Sequence, residues 1–247
     1  MVFTKNKMKV ELLQKDLFWA DPEANIAAFD AEIDARPGAD LYVLPEMFTT
    51  GFATRPEGIA EDKGLGLKWM KEKAASIDAA IAGSIATLED GKYFNRFYFV
   101  TPDRVWQYDK HHLFTYGHED DHFTAGIRRV IAEWRGVRFR LAVCYDLRFP
   151  VWLRNEGGAY DALIVVASWP TPRADAWKAL IRARAIENQC YVIAVNRTGE
   201  DPSCKYSGDS ALLDAFGMET TEIDMASLEA FREKFPVLGD ADKFEIQ

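Results

Sequence analysis

Short apolar runs alternate with longer amphipathic segments along most of this chain, and that alternation restricts the possible folds. Short runs rich in β-branched residues predict buried strands, and apolar residues at helical spacing predict helices between them. Strand, helix and strand repeated in this order favour an α/β fold built in layers. The predicted strands span residues 10–14, 41–44, 81–85, 94–100, 105–108, 138–144, 162–167 and 191–196.

Three of the intervening segments carry helix signals. Asp21 followed by Pro22 predicts a helix start, because Asp is a good N-cap and Pro suits the first helical position. Ile26, Phe29 and Ile33 then form an apolar stripe. Further helices are predicted over residues 68–77 and 174–188, and a late hairpin over residues 210–214 and 219–223.

The composition is that of an ordinary soluble globular protein, with 48% hydrophobic and 28% charged residues. A chain of 247 residues without repeats or a Pro/Gly/Ser linker predicts one domain over residues 1–247. A net charge of −9 argues against nucleic acid and anionic membranes as partners. The sequence has no apolar run of about 18 residues and no signal-peptide core. Three cysteines, an odd number without framework spacing, predict a reducing, cytoplasmic location.

Three reactive side chains follow three predicted strands directly. Glu46 follows LYVLP, Lys110 follows VWQYD, and Cys144 ends RFRLAV. In α/β sheets, active sites lie at the ends of strands, so these side chains converge if their strands are neighbours. A carboxylate can take the proton of a thiol, and an ammonium stabilises the negative charge that develops. The set therefore indicates a nucleophile with its base.

Each residue also has an ordinary interpretation when taken alone. A cysteine that ends a strand is more often an inert packing residue. Glu46 could cap a helix or lie on the surface, and Lys110 could be a solvated surface lysine. The spacing by itself leaves both interpretations open.

A zinc site would be a different chemistry for the same chain. Residues 118–122, HEDDH, match the H-E-x-x-H pattern of zinc hydrolases. That pattern needs a long helix with both histidines on one face and a third ligand. Here glycines lie on both sides, no apolar helical face is visible, and no histidine follows His122. We therefore expect no metal.

As a nucleophile, Cys144 could also belong to two other kinds of site. His111 or His112 could pair with it as in Cys-His hydrolases, although the adjacent Lys110 offers a better-specified set. Arg148 follows the cysteine as in some phosphatases, but the loop lacks the glycines of a phosphate cradle.

Three sequence blocks resemble the nitrilase superfamily of carbon–nitrogen hydrolases. LPEMFTTGF, YDKHHLF and CYDLRFP are similar to its three signature blocks in order and separation. ASWPTPRADAWKALIRARAIENQCYV and YSGDSALLDAFG resemble its later segments, so the similarity spans nearly the whole chain. The ending FREKFPVLGDADKF resembles the omega-amidase branch in particular.

The resemblance implies a four-layer αββα sandwich and amide hydrolysis through a cysteine thioester, with release of ammonia. Carried over by residue, Glu46 is the general base, Lys110 stabilises charge and Cys144 is the nucleophile. Glu119 is the candidate for the second glutamate of the family, which orients the lysine or positions substrate. The backbone N–H of Tyr145 joins Lys110 at the oxyanion. No cofactor is implied.

The resemblance also points to residues around the substrate. Trp169 is a candidate pocket wall, and Phe114 and Tyr145 are further candidates. Arg148 either stabilises the turn after Cys144, as Asp146 does, or pairs with a substrate carboxylate. Two more cysteines lie elsewhere, Cys190 in an apolar context that predicts packing and Cys204 in a polar loop.

The omega-amidase branch implies small 2-oxo-dicarboxylate monoamides as substrates, such as 2-oxoglutaramate and 2-oxosuccinamate. Within the superfamily, the chain could instead be a carbamoylase, an aliphatic amidase or a nitrilase. Outside enzymes, it could be a catalytically silent binding homologue, and the intact Glu-Lys-Cys set argues against that. The family resemblance further implies a homodimer.

Overall fold

The computed structural model of the protein describes residues 7–62 and 64–244. In that part of the chain two β-sheets carry most of the strands, so the predicted α/β class is confirmed. The strands are β1 (Lys7–Leu12), β2 (Leu41–Val43), β3 (Ala80–Glu89), β4 (Lys92–Val100), β5 (Val105–Asp109), β6 (Ile131–Trp134), β7 (Val137–Val143), β8 (Ala162–Ala167), β9 (Tyr191–Asn196), β10 (Thr198–Glu200), β11 (Lys205–Ser207), β12 (Ala211–Leu213) and β13 (Glu222–Asp224). The helices are α1 (Pro22–Ala35), α2 (Leu65–Ile77), α3 (Ala174–Asn188) and α4 (Met225–Lys234).

The first sheet has six strands in the order β13-β1-β2-β3-β4-β5. β1, β2 and β3 are parallel, and their crossover connections contain α1 and α2. Both helices cover one face of this sheet, where Phe29 of α1 and Met70 of α2 are fully buried beside Tyr42. This face has its own hydrophobic cluster, which the period-two alternation of the strands separates from the opposite face.

The second sheet has five strands in the order β12-β9-β8-β7-β6. β7, β8 and β9 are parallel, and α3 forms the crossover between β8 and β9. Trp177, Ile181 and Ala185 lie on the buried face of α3, as their helical spacing predicts. α4 follows β13 and is held near the start of β8 by Arg232, whose Nη1 lies 3.0 Å from Asp161 Oδ1.

The two sheets face each other through the largest hydrophobic cluster of the protein. Leu41 and Val43 of the first sheet point into this cluster, opposite Tyr42 on the helix side. Phe99 of β4 stacks on Phe139 of β7 with ring centroids 5.2 Å apart. Helices, sheet, sheet and helix are therefore four layers, the αββα sandwich that the resemblance implied.

The predicted start of α1 is confirmed in detail. Asp21 is the N-cap, and its Oδ1 accepts a hydrogen bond of 3.0 Å from the Ala24 backbone N–H. Pro22 is the first helical residue, Phe29 and Ile33 are buried, and Ile26 packs at the edge of the cluster.

The predicted late hairpin is confirmed only next to its turn, because its outer parts do not pair with each other. A turn does form around Gly217, and Leu213 bridges Glu219, but the two flanking strands join different sheets. β12 pairs with β9 of the second sheet, and β13 pairs with β1 of the first. Local sequence favours the turn, whereas the free edges of two distant strands determine where the flanking segments pair.

Several predicted boundaries also shift. β3 runs to Glu89 and pairs with β4 over nine positions, because the turn Asp90-Gly91 extends both strands beyond their apolar parts. β1 begins at Lys7 because its edge pairs with β13. Within the described residues, none of the helices combines the length and the apolar character needed to cross a bilayer.

The stacked pair between the sheets gives the first prediction. Phe99→Ala is expected to lower the free energy of unfolding by about 3–5 kcal/mol, because it opens a cavity in the buried layer between the two sheets. Phe18→Ala is the matched control, since Phe18 is 56% exposed and its loss should cost less than about 0.5 kcal/mol. Urea denaturation of both variants measures the difference. Equal effects would contradict a rigidly packed interface.

Candidate active site

A buried lysine lies between two buried glutamates where strands of the first sheet end. Lys110 Nζ is 3.0 Å from Glu46 Oε1 and 2.7 Å from Glu119 Oε2, and all three side chains are fully buried. Glu46 follows β2, Lys110 follows β5, and Glu119 belongs to the loop after Lys110. The structure thus brings these three predicted site residues together, and Cys144, the predicted nucleophile, lies beside them.

The Glu46 carboxylate is fixed from three directions. Its Oε1 accepts hydrogen bonds from Lys110 and from Asn95 Nδ2, the latter at 2.8 Å. Its Oε2 accepts a bond of 2.8 Å from the backbone N–H of Ser168, which follows β8. The two sheets therefore both contribute to holding this side chain, which leaves it little rotational freedom.

Glu119 is held in a comparable way. Its Oε2 accepts a hydrogen bond of 2.7 Å from the Phe114 backbone N–H, and its Oε1 accepts one of 3.0 Å from Asn95 Nδ2. Asn95 Nδ2 therefore bridges the two carboxylates, and it shares Glu46 Oε1 and Glu119 Oε1 with Lys110. Each oxygen of the two carboxylates has at least one donor, as buried carboxylates require.

The charges of this cluster shift its pKa values. Burial by itself would lower the pKa of Lys110, but the carboxylates of Glu119 and Glu46 outweigh burial and raise it, so the ammonium stays charged. Burial raises the pKa of Glu119, as does the nearby Glu46, while Lys110 opposes the shift. Two carboxylates share one cation here, so the cluster favours taking up a proton.

Cys144 lies beside this cluster. It follows β7 directly and begins a 3₁₀ turn, Cys144–Arg148, with a positive φ of 43°. Such a backbone conformation is costly for a residue with a side chain and is typical of functional turns. Burial raises the pKa of the thiol well above its usual value, and the Glu46 carboxylate raises it further, while Lys110 opposes both. The thiol is therefore protonated at rest and has a carboxylate as a neighbour to receive its proton.

Asp146 holds the turn that carries Cys144. Its Oδ2 accepts hydrogen bonds from the Val143 backbone N–H at 3.0 Å and from Tyr108 Oη at 2.7 Å. Its Oδ1 accepts from the backbone N–H of His112 at 2.9 Å. The structural role predicted for Asp146 is therefore confirmed, and the residue ties the cysteine turn to the segment after Lys110.

The two histidines beside Lys110 are engaged elsewhere. His112 Nδ1 lies 2.8 Å from Asp146 Oδ1, and its ring stacks on Phe149. His111 stacks on Trp152, and its Nδ1 contacts the Gly126 carbonyl. Both rings serve packing around the Asp146 network, so the geometry favours Glu46 rather than a histidine as the base for Cys144.

The HEDDH segment does not have the geometry of a zinc helix. Its first histidine, His118, ends a 3₁₀ turn in a left-handed conformation and is mostly exposed. His122 instead pairs with Glu57, and Glu119 points into the buried cluster. Across residues 7–62 and 64–244, no three His, Cys, Asp or Glu side chains are grouped so that they could hold a metal ion.

A cavity of about 190 Å³ opens above Cys144, which lines it, whereas Glu46, Lys110 and Glu119 do not. The candidate substrate-binding residues Phe114, Tyr145, Arg148 and Trp169 all line this cavity. Two pairs of these side chains are in contact, and in the first pair the Tyr145 ring packs against Phe114 with centroids 5.1 Å apart. Arg148 lies over the Trp169 ring at 4.9 Å.

Sequence reasoning missed several residues of the site. Asn95 bridges the carboxylates, Ser168 donates its N–H, and Phe52 and Arg173 line the cavity. Asn95 had a visible signal, because it is a polar residue inside the apolar strand β4. The role of Ser168 is carried by its backbone, so the identity of its side chain gives no signal for it.

The loop between β10 and β11 closes one side of the cavity. Asp201, Cys204 and Tyr206 line the cavity there, so Cys204 is partly buried. Asp201 accepts a hydrogen bond from Tyr206 and lies 4.0 Å from Arg197. Its charge is therefore already compensated. Cys190 is fully buried, as predicted for a packing residue, and burial raises its thiol pKa to about 12.

Comparisons with known proteins agree with this geometry. The model of the carbon–nitrogen hydrolase family matches residues 9–224. The chain is 45% identical to Omega-amidase YafV of Escherichia coli (strain K12), over 97% of this chain and 98% of the relative. It is 35% identical to 2-oxoglutaramate amidase of Bacillus subtilis (strain 168), over 96% of this chain and 98% of the relative.

Solved structures show the same architecture. XC1258 from Xanthomonas campestris, a CN-hydrolase superfamily protein with an arsenic adduct in its active site, is 40% identical with a TM-score of 0.94. The match covers 98% of this chain and 99% of that chain. Nit3 of Saccharomyces cerevisiae, a nitrilase superfamily member, shares the fold at 23% identity, with a TM-score of 0.83 and coverage of 94% and 95% of the two chains.

The Asp146 network gives the second prediction. Asp146→Asn is expected to lower the free energy of unfolding near neutral pH by about 1.5–3 kcal/mol, because it removes a charged acceptor. The pKa of Asp146 lies below its ordinary 3.8, since burial is outweighed by hydrogen bonds from His112, Val143 and Tyr108. The carboxylate therefore stabilises the fold above about pH 3.8, and this contribution is lost as the pH falls through the folded pKa.

Urea denaturation at several pH values tests this expectation. The gap between the native chain and Asp146→Asn should be widest near neutral pH and should narrow in acid. Asp120→Asn, at an exposed position in the loop after Lys110, is the matched control and should show little change. A gap that does not depend on pH would contradict the charged role of Asp146.

Proposed function

The chain belongs to the carbon–nitrogen hydrolase family and is an amidase-type enzyme, and we propose that it is an omega-amidase that acts through Cys144. Its substrates are small 2-oxo-dicarboxylate monoamides such as 2-oxoglutaramate and 2-oxosuccinamate, and its products are the dicarboxylate and ammonia. The observation that carries the mechanism is the buried Glu46–Lys110–Glu119 cluster beside a protonated thiol.

Thioester formation is the first half of the proposed reaction. Glu46 takes the proton of Cys144, and the thiolate attacks the amide carbon. The Lys110 ammonium and the Tyr145 backbone N–H stabilise the oxyanion. The intermediate collapses when the protonated Glu46 gives its proton to the departing nitrogen. Ammonia leaves, and the acyl group remains on sulfur.

Hydrolysis of the thioester completes the proposed cycle. Glu46 takes a proton from water, and the resulting nucleophile attacks the thioester carbon. The Cys144 thiolate leaves and recovers its proton from Glu46, which restores the resting state. Glu119 is a positioning residue here, because it holds Lys110 at 2.7 Å and keeps it charged throughout the cycle.

Two arginines of the cavity support an acidic substrate. Within the described residues, the guanidiniums of Arg148 and Arg173 have no ion-pair partner, and each lies over an aromatic ring of the cavity, Trp169 and Phe114 respectively. Asp201 is compensated by other groups, so it does not neutralise them. Arginine forks suit carboxylates, and stacking on a ring limits their motion. We assign the distal substrate carboxylate to these two residues.

The assembly and location are part of the same proposal. The enzyme works as a homodimer in the cytoplasm, without a cofactor. Large apolar side chains at Ile186, Phe216, Met218 and Phe235 are at least half exposed in the single chain, at 50%, 59%, 58% and 55% respectively. Exposed apolar groups of this size support an interface between copies.

Ammonia release from four compounds tests the proposal. We expect turnover of 2-oxoglutaramate to exceed that of glutamine, an N-carbamoyl amino acid and an aliphatic nitrile. Cys144→Ser should lower the rate by at least about 10³-fold. Cys190→Ala is the matched control, because its thiol is buried outside the cavity and the variant should stay active.

A different order of preference among the four compounds would change the assignment. Preference for the carbamoyl compound, the neutral amide or the nitrile would move the enzyme to another branch and keep the nucleophile. Silence on all four compounds would favour a binding homologue.

Glu46→Gln should lower turnover by about 10²–10⁴-fold, since it removes proton transfer, and an unchanged rate would contradict the assigned base.

The arginine assignment gives a separate prediction. Arg173→Gln and Arg148→Gln should each raise KM for 2-oxoglutaramate by roughly 10- to 100-fold with a smaller effect on kcat, because a charged hydrogen bond is lost. A short aliphatic amide without a carboxylate is the control substrate, and its KM should hardly change. An equal rise in KM for both substrates would show that the arginines shape the cavity and do not recognise the substrate carboxylate.

A further inference from the structure

A second cavity, of about 260 Å³, lies beside β6 and β7 and shares no lining residue with the cavity at Cys144. Three arginines line it, namely Arg129 beside β6, Arg140 of β7 and Arg154 of the following loop. Glu156 is the one acidic residue among its lining residues. The lining therefore has a formal surplus of two positive charges, in a protein whose net charge is −9.

The single carboxylate does not neutralise the inner part of this cavity. Glu156 pairs with Arg129, which lies at the rim and is the most exposed of the three arginines. Arg154 Nη1 donates to the backbone carbonyl of Glu187 at 2.7 Å, which is a neutral acceptor. Within the part of the chain that the structure describes, neither Arg154 nor Arg140 has a carboxylate at ion-pair distance.

Arg140 is the least expected residue of the group. It is only 4% exposed, and its Nη2 donates a hydrogen bond of 2.9 Å to the Trp152 carbonyl. Its buried Nε lacks a hydrogen-bond partner among the described residues. Burial, with a smaller contribution from Arg129, lowers the pKa of this guanidinium to about 10 against the opposing effect of Tyr108 and Tyr160. A buried cation with so few acceptors is costly unless an anion completes its surroundings.

We propose that this cavity binds a small divalent oxyanion of the phosphate class, held by Arg140 and Arg154. The surplus of two charges matches a divalent anion. Arginine forks present paired N–H donors that match phosphate oxygens, and a bound oxyanion gives the unpartnered donors of Arg140 an acceptor. Arg129 lies at the rim, where its pairing with Glu156 leaves it a secondary role.

Thermal unfolding of the full-length chain tests the site, with sodium phosphate as the probe at a pH where phosphate is divalent. Sodium chloride at equal ionic strength is the reference. A ligand that binds only the folded state raises Tm as its concentration increases. The stabilisation then follows the linkage relation for a single binding site. We expect Tm to rise with phosphate in this manner and to exceed the value in chloride throughout the titration.

Variants then locate the binding. Arg140→Gln should abolish the phosphate-dependent rise in Tm, and Arg154→Gln should weaken it by roughly 10-fold in apparent Kd, since each removes a charged donor. Arg104→Gln is the matched control, because Arg104 lies over a tryptophan ring as Arg140 does, and it does not line this cavity. Arg173→Gln controls for phosphate in the cavity at Cys144. Both control variants should keep the full rise.

The result separates the possible sites. No rise beyond that in chloride, or a rise that Arg140→Gln and Arg154→Gln both retain, would overturn the proposal. A rise lost in Arg173→Gln and retained in Arg140→Gln would also overturn it, because the anion would then occupy the cavity at Cys144. If Arg140→Gln does not fold, Arg154→Gln decides the question, since Arg154 is only partly buried.

Discussion

The ammonium of Lys110 between two buried carboxylates is the interaction on which the rest of the site depends. Three charges without solvent are stable only when each finds partners, so the cluster requires Asn95 and the backbone N–H groups of Ser168 and Phe114. These partners come from both sheets. The charged cluster is therefore ordered only when the two sheets pack against each other. A loosely packed sandwich would also lose the geometry of the site.

The residues at the strand ends could be predicted because the relevant signals are local. Glu46, Lys110 and Cys144 each follow an apolar run directly, and the period of those runs identifies the strands. The partners of these residues could not be predicted in the same way. Ser168 acts through its backbone, and Arg173 reaches the cavity from the 3₁₀ turn before α3. The short extent of the predicted hairpin has a related cause, because strand pairing depends on free edges that are distant in sequence.

Net charge and local charge have opposite signs in this protein. The chain carries a net charge of −9, yet arginines outnumber acidic residues in the lining of the two cavities described above. Acidic side chains near the cavity at Cys144 are buried in the cluster or compensated, as Asp201 is by Arg197 and Tyr206. An overall negative charge argues against extended polyanions as partners, but it does not describe what a small cavity attracts.

The pairing of β13 with β1 affects how the chain can fold during synthesis. Lys7 faces Asp224 in this pairing, and Lys7 Nζ contacts Glu222, 215 residues further along. The first sheet therefore keeps an open edge at β1 until nearly all of the sandwich has been made. An open edge of this kind can pair with other chains, and contacts so distant in sequence form slowly. The fold is thus most exposed to misassembly on the ribosome, before its last strand emerges.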